Sequence, residues 1–539
     1  MPHKLILVLS LLFAAAANAQ TVSKVWVADN GDGTYKNPVI NADYSDPDVL
    51  RVGGDYFMTA SSFNSVPGLP ILHSKDLVNW RIVNHVFREQ EPLDVFSKPQ
   101  HGGGVWAPSI RFHAGEYFIY YGDPDFGVYM TKTKDPLAEW SKPVLVKQAK
   151  GWIDPCPLWD DDGNAYLVHA FAGSRAGIKS ILVVNKMNRE GTRLIDDGVI
   201  VFDGHDADPT VEGPKFYKLN GYYYILAPAG GVATGWQLAL RSKNIYGPYE
   251  RKVVLAQGKT AINGPHQGAL VDTPTGEWWF LHFQDRGPYG RVVHLQPTAW
   301  KNGFPVVGSD TDGDGTGEPV MTFKKPNVGA TFPIMTPQDS DEFDGATVGR
   351  QWQWHANPNA EWAFPFPTKG VLRMNSVERE FGFNRLWEAP NLLLQKFPAE
   401  EFVATAKVTL NSRFAGEVFG LIVMGANYSL IGVEKSSNAL VVQRSTAIDA
   451  DKGMYGDLGR AEGLSPDATA PFYLRVSVSK GAVCSFSYSS DGVNFKTLGQ
   501  PFVAREGRWI GAKIGFFFTR GGKFNDAGSA DIDWFRFER

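Results

Sequence analysis

The sequence contains the stretch Thr210-Val-Glu-Gly-Pro-Lys-Phe-Tyr-Lys-Leu-Asn-Gly-Tyr-Tyr-Tyr-Ile-Leu226. Two strand-like runs flank the dipeptide Asn220-Gly221, a turn dipeptide that accepts positive φ angles. The stretch therefore predicts a β-hairpin whose returning strand is rich in tyrosine.

The same pattern, a turn glycine followed by an aromatic strand, occurs five times. Successive glycines are separated by 61, 48, 58 and 55 residues. Strand-rich repeats of about 40 to 50 residues or more are typical of propeller blades rather than of helical solenoids. We therefore predict five blades, marked by the turn residues Gly54, Gly115, Gly163, Gly221 and Gly276.

A chemically distinctive side chain stands eight to ten residues before each of these glycines, at the head of the preceding strand. Because the first strand of each propeller blade lines the central channel, we expect these side chains to meet at one mouth of the channel. Three of them are carboxylates, which a structural core rarely gathers. The five predicted channel residues are Asp46, Trp106, Asp154, Glu212 and His266.

The composition, a proline-rich segment and the alternating runs after it predict an all-β chain of two domains. Of the 539 residues, 13% are aromatic and 20% are charged, and 57 are glycine, which is typical of a turn-rich globular protein. After a proline-rich segment, alternating runs such as Phe402-Val-Ala-Thr-Ala-Lys-Val-Thr-Leu410 predict an antiparallel β-sandwich. The predicted boundaries are 20–318 for the propeller, 319–338 for the linker and 339–539 for the sandwich.

Residues 1–19 have the pattern of a secretory signal peptide. Lys4 supplies the positive start, Leu5 to Ala16 the apolar core, and Ala17-Asn-Ala19 the cleavage site. The apolar core is too short to span a bilayer, so we expect no membrane anchor and an exported protein, periplasmic or extracellular. The net charge of −4, without a basic block, gives no reason to expect a nucleic-acid partner. The oligomeric state is left open.

Two other features are interpreted as structural. Cys156 and Cys484 fall in different predicted domains, so no disulfide is expected, and Cys156 suits a buried apolar filler better than a nucleophile. The run Asp310-Thr-Asp-Gly-Asp-Gly-Thr-Gly-Glu318 begins like a calcium loop but has Met321 where a bidentate Glu is needed. A solvated hairpin tip is favoured there, and weak calcium binding is left open.

The three channel carboxylates suit hydrolysis of a glycosidic bond. That reaction needs one carboxylic acid to protonate the leaving oxygen and one carboxylate on the other side of the sugar. Glu212 is the acid candidate, because a partly dry aromatic pocket helps a Glu to retain its proton. Asp46, stiffened by Pro47, is the base candidate, and the charge of Asp154 is expected to keep Glu212 protonated. Other acids near turns are interpreted as solvated caps: Asp43, Asp48 and Asp160 to Asp162.

Four more residues have candidate roles, each with a structural alternative. Trp106 suits stacking on a sugar ring, or plugging the channel. Arg291 could bind a sugar hydroxyl or form a surface ion pair, and Phe63 could wall the pocket or pack within its loop. His266 could hold a metal ion or its water, or only a hydrogen bond. No organic cofactor is expected.

These motifs resemble glycoside hydrolase family 43, over almost the whole predicted mature chain. Asn37-Pro-Val-Ile-Asn-Ala-Asp-Tyr-Ser-Asp-Pro-Asp48 is similar to the family's base segment, which implies Asp46 as general base. Two further segments imply Asp154 as modulator of the acid and Glu212 as general acid: Gly151-Trp-Ile-Asp-Pro155 and Val211-Glu-Gly-Pro214. Two stretches, Ser61 to Trp80 and Val105-Trp-Ala-Pro108, resemble the xylosidase and arabinofuranosidase branch of the family. The terminal sandwich also resembles that branch, and in such enzymes a loop of the sandwich helps to close the pocket.

The resemblance implies a five-bladed β-propeller followed by a concanavalin-like β-sandwich, and inversion at the anomeric carbon. It also implies a substrate contact for Arg291 and, as in some members, a central Ca²⁺ ordered through waters by His266. We expect a β-1,4-xylosidase that releases terminal xylose from hemicellulose-derived oligosaccharides, with α-L-arabinofuranosidase activity as the alternative or companion.

Two other functions fit the sequence less well. A fructan hydrolase or transferase would use a similar propeller, but its usual Asn-Asp-Pro-Asn-Gly and Arg-Asp-Pro segments are not found in this sequence. A non-catalytic sugar-binding propeller would not need all three carboxylates.

Overall fold

The computed structural model describes residues 22–379, 385–436, 439–454, 458–465, 469–523 and 525–539, so the predicted signal peptide lies outside the described residues. These ranges form an all-β chain with five four-stranded sheets, two eight-stranded sheets and one two-stranded ladder. Helical structure in them is limited to single turns: α1 (Leu93–Phe96), α2 (Gly173–Ala176) and 3₁₀ turns at Gly287–Tyr289, Ala360–Trp362, Leu386–Glu388 and Ala450–Lys452. None of these helices has the length and apolar character needed to cross a membrane.

The five four-stranded sheets are antiparallel and follow one another along the chain, as blades of a propeller do. A short strand, β1 (Thr34–Lys36), precedes them. Their strands are β2 (Asp48–Val52), β3 (Asp55–Thr59), β4 (Gly68–Ser74) and β5 (Trp80–Phe87) in the first blade; β6 (Trp106–His113), β7 (Glu116–Asp123), β8 (Gly127–Thr133) and β9 (Val144–Gln148) in the second; β10 (Trp152–Trp159), β11 (Ala165–Phe171), β12 (Ile181–Met187) and β13 (Val199–Asp203) in the third; β14 (Lys215–Leu219), β15 (Tyr222–Ala229), β16 (Trp236–Ser242) and β17 (Glu250–Leu255) in the fourth; and β18 (His266–Asp272), β19 (Trp278–Asp285), β20 (Arg291–Lys301) and β21 (Phe304–Val307) in the fifth.

The hairpin of the fourth blade forms as its sequence predicts. Asn220 and Gly221 have φ angles of 51° and 77°, the two positive angles of a type I′ turn, whose twist matches that of the flanking strands. Leu219 therefore pairs directly with Tyr222 across the turn. The prediction of a five-bladed propeller is confirmed.

The ring of blades is closed by the segment that precedes the first blade. Ile40 forms a bridge with Val293 of β20, and the Tyr35 hydroxyl donates to the Leu295 carbonyl at 2.8 Å. Apolar side chains of the first and fifth blades fill the same seam. No disulfide contributes, since Cys156 and Cys484 are both free and buried.

The segment predicted as a linker lies against the propeller. Its strand β22 (Thr322–Lys324) pairs with β1, and the Met335 N–H donates to Asn79 Oδ1 at 3.0 Å. This path leads the chain from the fifth blade across the first blade to the sandwich. The boundaries of linker and domains stay predictions.

The sandwich consists of the two eight-stranded sheets. One has the order β23-β27-β37-β29-β30-β31-β32 with β26 beside β37; the other has the order β24-β25-β38-β28-β33-β34-β35 with β36 beside β34. The strands are β23 (Gln353–Trp354), β24 (Ala363–Phe366), β25 (Val371–Asn375), β26 (Val377–Glu378), β27 (Leu393–Lys396), β28 (Phe402–Asn411), β29 (Val418–Met424), β30 (Tyr428–Ser436), β31 (Ala439–Ala447), β32 (Leu458–Ser465), β33 (Phe472–Ser479), β34 (Val483–Ser489), β35 (Lys496–Thr497), β36 (Phe502–Val503), β37 (Lys513–Arg520) and β38 (Ser529–Glu538).

The core of the sandwich lies between the inner faces of its two sheets. Aromatic rings pack in its centre: Trp352 lies 5.3 Å from Phe516 and 5.5 Å from Phe535, centroid to centroid. Trp352, Trp362 and Trp387 are buried, so these rings serve packing.

Side-chain and backbone hydrogen bonds join the two domains beside the channel. Lys513 Nζ donates to Ser65 Oγ at 2.6 Å, and the Gly511 N–H donates to Asp43 Oδ2 at 2.9 Å. Gly511 is the last residue of the sandwich segment 506–511, and Lys513 follows that segment by two residues. They hold this segment against the mouth of the propeller where the predicted channel residues lie.

Candidate active site

The backbone is kinked at the head of the first strand of every blade. At, or directly after, each predicted channel position, one residue has a φ angle in the left-handed region, which is costly for side chains other than glycine and is concentrated at functional sites. The strand ladder shows a register shift at this point in the second, third and fifth blades. The kinked residues are Asp46 (55°), Ala107 (36°), Asp154 (58°), Gly213 (58°) and Gln267 (34°).

Asp46 is held by three donors from different parts of the propeller. Its Oδ2 accepts hydrogen bonds of 2.6 Å from the hydroxyls of Ser45 and Ser61, and Arg291 Nη1 lies 3.3 Å from Oδ1. Asp46 is 6% exposed and Arg291 7% exposed. The guanidinium and the two hydroxyls fix the orientation of this buried carboxyl.

Asp154 is tied to the chain beside Glu212. The Gly213 N–H donates to Asp154 Oδ2 at 2.7 Å. Position 213 requires glycine, since its φ is positive and an added Cβ would lie 2.7 Å from the Gln267 side chain. The Asp154 side chain of the third blade is therefore bonded to the residue that directly follows Glu212 in the fourth blade.

Burial raises the pKa of Asp154 well above its ordinary value, and the neighbouring charges of Glu212 and Asp46 raise it further. The Gly213 hydrogen bond and the charge of Lys215 act in the opposite direction. Because adjacent carboxylates repel each other, the Asp154–Glu212 pair retains a proton at a pH where isolated carboxyls have lost theirs. The three carboxyls predicted from the sequence thus lie close enough to influence one another.

Glu212 is the most accessible of the three carboxyls. Its side chain is 27% exposed, and His266 Nε2 lies 3.1 Å from its Oε1. The ring of His266 packs 5.4 Å from that of Phe283. His266 Nδ1 is buried and has no hydrogen-bond partner among the described residues. This nitrogen can bond a water, which fits a water-mediated cation, and the calcium assignment stays a prediction.

Aromatic rings line the mouth around these carboxyls. Trp106 Nε1 donates to the Gly102 carbonyl at 2.7 Å, and the Phe63 ring lies 6.5 Å from that of Trp106. Phe63 is buried, with a left-handed φ of 51°. The Ala107 N–H, next to Trp106, donates at 2.7 Å to the Ser61 hydroxyl that bonds Asp46. The contact of Trp106 and Phe63 with substrate stays a prediction.

Trp509, from the sandwich, completes the mouth and was not singled out in the sequence. Its ring lies 6.3 Å from Trp106, and the Arg291 guanidinium lies 5.7 Å from its centroid. The side chain is 46% exposed. Together with Asp285 and Arg291, the segment around Trp509 lines a cleft of about 450 Å³. A tryptophan inside the glycine-flanked stretch Gly507-Arg-Trp-Ile-Gly511 is the signal that could have found it.

Two acids that the sequence analysis interpreted as solvated caps are buried, so that interpretation was wrong. Asp43 accepts hydrogen bonds of 2.9 Å from the backbone N–H groups of Arg291 and Gly511. Asp48 is fully buried, and Arg111 Nη1 donates to it at 2.7 Å. Both acids stand beside the channel, where protein donors replace water. The surface alternative for Arg291 was likewise wrong.

The acidic run after the fifth blade forms an exposed tip. Carboxylate oxygens of Asp310, Asp312 and Asp314 lie within 4.8 Å of one another, the one such group of three or more acidic, His or Cys ligands in the part of the chain that the structure describes. Lys301 Nζ lies 3.4 Å from Asp310 Oδ2 and supplies part of the counter-charge.

Comparisons with known proteins agree with this geometry. Residues 35–305 match the family model of glycosyl hydrolases family 43, and residues 340–538 match that of the beta xylosidase C-terminal concanavalin A-like domain. A Xylanibacter ruminicola protein is 39% identical over 92% of this chain and 88% of its own length. A beta-xylosidase of Formosa agariphila is 33% identical over 97% of this chain and 93% of its own length.

Two more distant proteins are similar over nearly the full chain. A non-reducing end alpha-L-arabinofuranosidase of Bacteroides ovatus is 28% identical, with 94% of each chain covered. The crystal structure of a family 43 protein from Bacillus licheniformis superposes with a TM-score of 0.80 at 26% identity, covering 94% of this chain and 99% of that one. With both domains matched and the relatives aligned end to end, this chain is a glycoside hydrolase that belongs to glycosyl hydrolases family 43.

Proposed function

We propose that the chain is an exported, inverting exo-β-1,4-xylosidase that removes terminal xylose from hemicellulose-derived oligosaccharides. One observation carries the proposal: Asp46, Asp154 and Glu212, from three different blades, lie close enough for their charges to act on one another, each in a different environment. Asp46 is buried under three donors, Asp154 is buried beside a second carboxyl, and Glu212 faces the opening.

These environments support distinct roles. Asp46 is the general base, because Arg291 and two hydroxyls hold its carboxyl in one orientation, ready to accept a proton from water. Glu212 is the general acid, because its exposed oxygen can reach a leaving group while His266 fixes the other side of the carboxyl. Asp154 tunes the acid through their mutual repulsion. An inverting pair stands about 6.5 to 9.5 Å apart, which leaves room for the attacking water.

The reaction then proceeds in one displacement. Water attacks the anomeric carbon as Asp46 takes one of its protons, and the bond from that carbon to the glycosidic oxygen breaks. The electron pair of that bond stays on the leaving oxygen, which receives the proton of Glu212. A β-xyloside therefore gives α-xylose as the first product.

The position of the second domain beside Arg291 supports action at chain ends. Trp509 and its neighbours on the sandwich segment 506–511 stand beside Arg291, so the mouth is walled by the second domain. Such a wall accommodates a terminal sugar better than the middle of a polymer. Xylose is the first choice because a relative aligned over 97% of the chain is named a beta-xylosidase. The Bacteroides ovatus relative supports the alternative, α-L-arabinofuranosidase activity, alone or alongside.

The proposal also includes a calcium ion and export. His266 would hold the ion through water at Nδ1, where a bound cation would supply fixed positive charge near the carboxyls. Export rests on residues 1–19. Detecting the intact leader on a cytoplasmic protein would contradict it.

The test is a panel of nitrophenyl β-D-xyloside, α-L-arabinofuranoside and β-D-galactoside, with the product anomer followed by NMR. We expect the xyloside to be cleaved fastest, with α-xylose appearing before mutarotation. Retention of the β anomer would contradict the inverting mechanism. Sugar binding without turnover of any pentoside would favour a binding propeller, and faster cleavage of the arabinofuranoside would select the alternative.

A further inference from the structure

The Asp43 carboxyl is bonded to both domains of the chain. It lies three residues before Asp46 and is 5% exposed. Its Oδ1 accepts a hydrogen bond of 2.9 Å from the N–H of Arg291, the first residue of β20 in the fifth blade. Its Oδ2 accepts one of 2.9 Å from the N–H of Gly511, the last residue of the sandwich segment 506–511. One buried side chain therefore joins a propeller strand to this segment.

The backbone around Asp43 packs too closely for larger residues. An added Cβ at Gly290 would lie 2.4 Å from Asp43 Cγ, and one at Gly511 would lie 2.6 Å from the Gly290 nitrogen. Both distances are well below the separation of about 3.5–4.0 Å at which carbon atoms make favourable contact. Glycine at both positions therefore allows the carboxyl to reach the two N–H groups.

The segment that contains Asp43 holds Arg291 at its backbone and at its guanidinium. The Tyr44 N–H donates to the Arg291 carbonyl at 3.0 Å, beside the bond from the Arg291 N–H to Asp43. At the other end of the residue, Arg291 Nη1 donates to Ser45 Oγ at 2.8 Å and lies 3.3 Å from Asp46 Oδ1. The guanidinium that orients the predicted base therefore starts from backbone that Asp43 fixes.

The same carboxyl fixes the segment that carries Trp509. Gly511 follows Trp509 by two residues. The Arg291 guanidinium lies 5.7 Å from the centroid of the Trp509 ring. Two neighbouring side chains of the cleft, one from each domain, therefore share Asp43 as an anchor of their backbones.

We propose that Asp43 is a positioning residue for the hydrolysis: its carboxyl holds Arg291 of the propeller and the Trp509 segment of the sandwich in one fixed relation, so that the base and the wall of the cleft are set together. The inference rests on the proposed function for the roles of Asp46 and of the wall. It extends that function to a residue that acts through Arg291 and Trp509.

The two bonds require two acceptor oxygens. A carboxylate offers an oxygen to each N–H group, and hydrogen bonds to a charged acceptor are stronger than those between neutral groups. An asparagine has almost the same shape but one oxygen, so its NH₂ group would face one of the two N–H donors. Asp43→Asn therefore retains one of the bonds at most, and Asp43→Ala removes both.

A role in domain stability alone is the rival explanation, because Asp43 also ties the sandwich to the propeller. In that case Asp43→Ala would lower the melting temperature, but the enzyme that remains folded would keep wild-type kcat and KM. Loss of a positioning residue changes these constants in the folded enzyme, because a misplacement of about 1 Å costs up to about 100-fold in rate. Kinetics measured well below the melting temperature therefore separate the two roles.

The experiment compares Asp43→Ala, Asp43→Asn, Trp509→Ala and the double variant Asp43→Ala/Trp509→Ala. Glu400→Ala is the matched control, because Glu400 of the sandwich forms an ion pair across the same domain junction with Arg286 of the propeller. Values of kcat and KM on nitrophenyl β-D-xyloside are measured for the full chain, at a temperature where circular dichroism shows each variant to be folded.

For Asp43→Ala we expect KM to rise and kcat to fall, each by about threefold or more. Asp43→Asn should lie between Asp43→Ala and wild type, and Glu400→Ala should keep the wild-type constants. The KM of the double variant should stay within about twofold of that of Trp509→Ala, because both changes act on the same wall. A wild-type value of either constant for Asp43→Ala, or an additive rise of KM in the double variant, would overturn the proposal.

Hydrogen exchange tests the anchor without any substrate. In Asp43→Ala the backbone N–H groups of Arg291 and of the segment 506–511 should exchange about tenfold faster or more, whereas Glu400→Ala should leave the segment unchanged. Unchanged exchange in Asp43→Ala would overturn the proposal even in an active enzyme. If the wild type cleaves no pentoside, the xylosidase proposal fails, and exchange alone decides whether Asp43 is the anchor.

If Asp43→Ala does not fold, Gly511→Ala tests the anchor from the sandwich side. The new Cβ would collide with the Gly290 nitrogen, which displaces the segment 506–511 from an intact Asp43. KM should then rise by about threefold or more, and a wild-type KM would contradict the proposal.

Discussion

Arg291 Nη1 lies 3.3 Å from Asp46 Oδ1 and 2.8 Å from Ser45 Oγ, so one guanidinium nitrogen orients both the predicted base and one of its hydroxyl donors. Both members of the ion pair are more than nine-tenths buried. Breaking a buried pair by removing one partner costs about 3–5 kcal/mol, whereas an exposed pair contributes about 0–1 kcal/mol. The geometry of the base therefore depends on Arg291.

Replacing Arg291 tests this dependence. We expect Arg291→Met to lower kcat/KM by about 100-fold or more, because Asp46 loses the donor that fixes the orientation of its carboxyl. Arg291→Lys should recover part of the loss, since it keeps the charge without the planar geometry. Kinetics on nitrophenyl xyloside checks the order of the variants. Equal activity of Arg291→Met and wild type would mean that the action of Asp46 does not depend on Arg291.

Substrates with different leaving groups distinguish the acid from the base. Asp46→Asn should abolish hydrolysis of natural and activated substrates alike, because the water needs its base in both cases. Glu212→Gln should lose far less activity on a nitrophenyl xyloside than on xylobiose, because nitrophenolate departs without a proton. Both rates are measured for each variant at one pH. Equal losses on the two substrates for Glu212→Gln would contradict the assignment of the acid.

The carboxyls could be predicted from the sequence because each stands at a repeated position. A turn glycine such as Gly221 marks a blade, and the strand before it must enter the channel, so the head of that strand identifies Glu212. Asp46 and Asp154 have left-handed φ angles, but an aspartate at these positions does not by itself predict a positive φ. Aspartate tolerates it but does not require it.

Two features could not be predicted because they depend on packing between distant segments. Trp509 reaches the mouth only because the sandwich is anchored to the propeller by bonds such as that from the Gly511 N–H to Asp43. Asp48 resembles a turn acid in the sequence, and its burial depends on Arg111, 63 positions away. A buried ion pair of this kind leaves no local pattern.

Trp509 offers a test of the sandwich wall. Trp509→Ala should raise KM and lower kcat/KM by about tenfold, since a stacked aromatic ring is lost from the cleft. Because the side chain is partly exposed, the melting temperature should change little. Val493→Ala, at another exposed apolar residue of the sandwich, is the control and should leave both quantities unchanged. An unaltered KM for Trp509→Ala would remove the wall from the mechanism.

The burial of Asp123 predicts that the folding stability of the chain depends on pH, independently of catalysis. It lies buried at the end of β7, and burial raises its pKa from 3.8 to about 7. Between these values the folded chain holds a proton that the unfolded chain has lost, so stability falls as pH rises through this window. Asp123→Asn has no such proton to lose. Its melting temperature relative to wild type should rise by about 2 °C or more between pH 4 and 8.

Calorimetry at several pH values checks this expectation for Asp123. Asp533 of the sandwich, whose side chain is 31% exposed and pairs with Lys407, provides the control. Asp533→Asn should show a difference from wild type that stays constant from pH 5 to 8. A constant difference for Asp123→Asn as well would mean that Asp123 is ionised in the fold.

The calcium hypothesis is tested at His266 by separating its two nitrogens. His266→Gln can keep a donor near Glu212 in place of Nε2, but it removes Nδ1, the atom left for a water on the ion. If calcium is held there, a chelator lowers wild-type activity, added Ca²⁺ restores it, and His266→Gln no longer responds to either. Asp312→Asn disables the exposed acidic tip instead, so it should respond like wild type. Loss of the response in Asp312→Asn would place the ion at the exposed tip instead. A wild type whose activity does not change with chelator would contradict the calcium hypothesis.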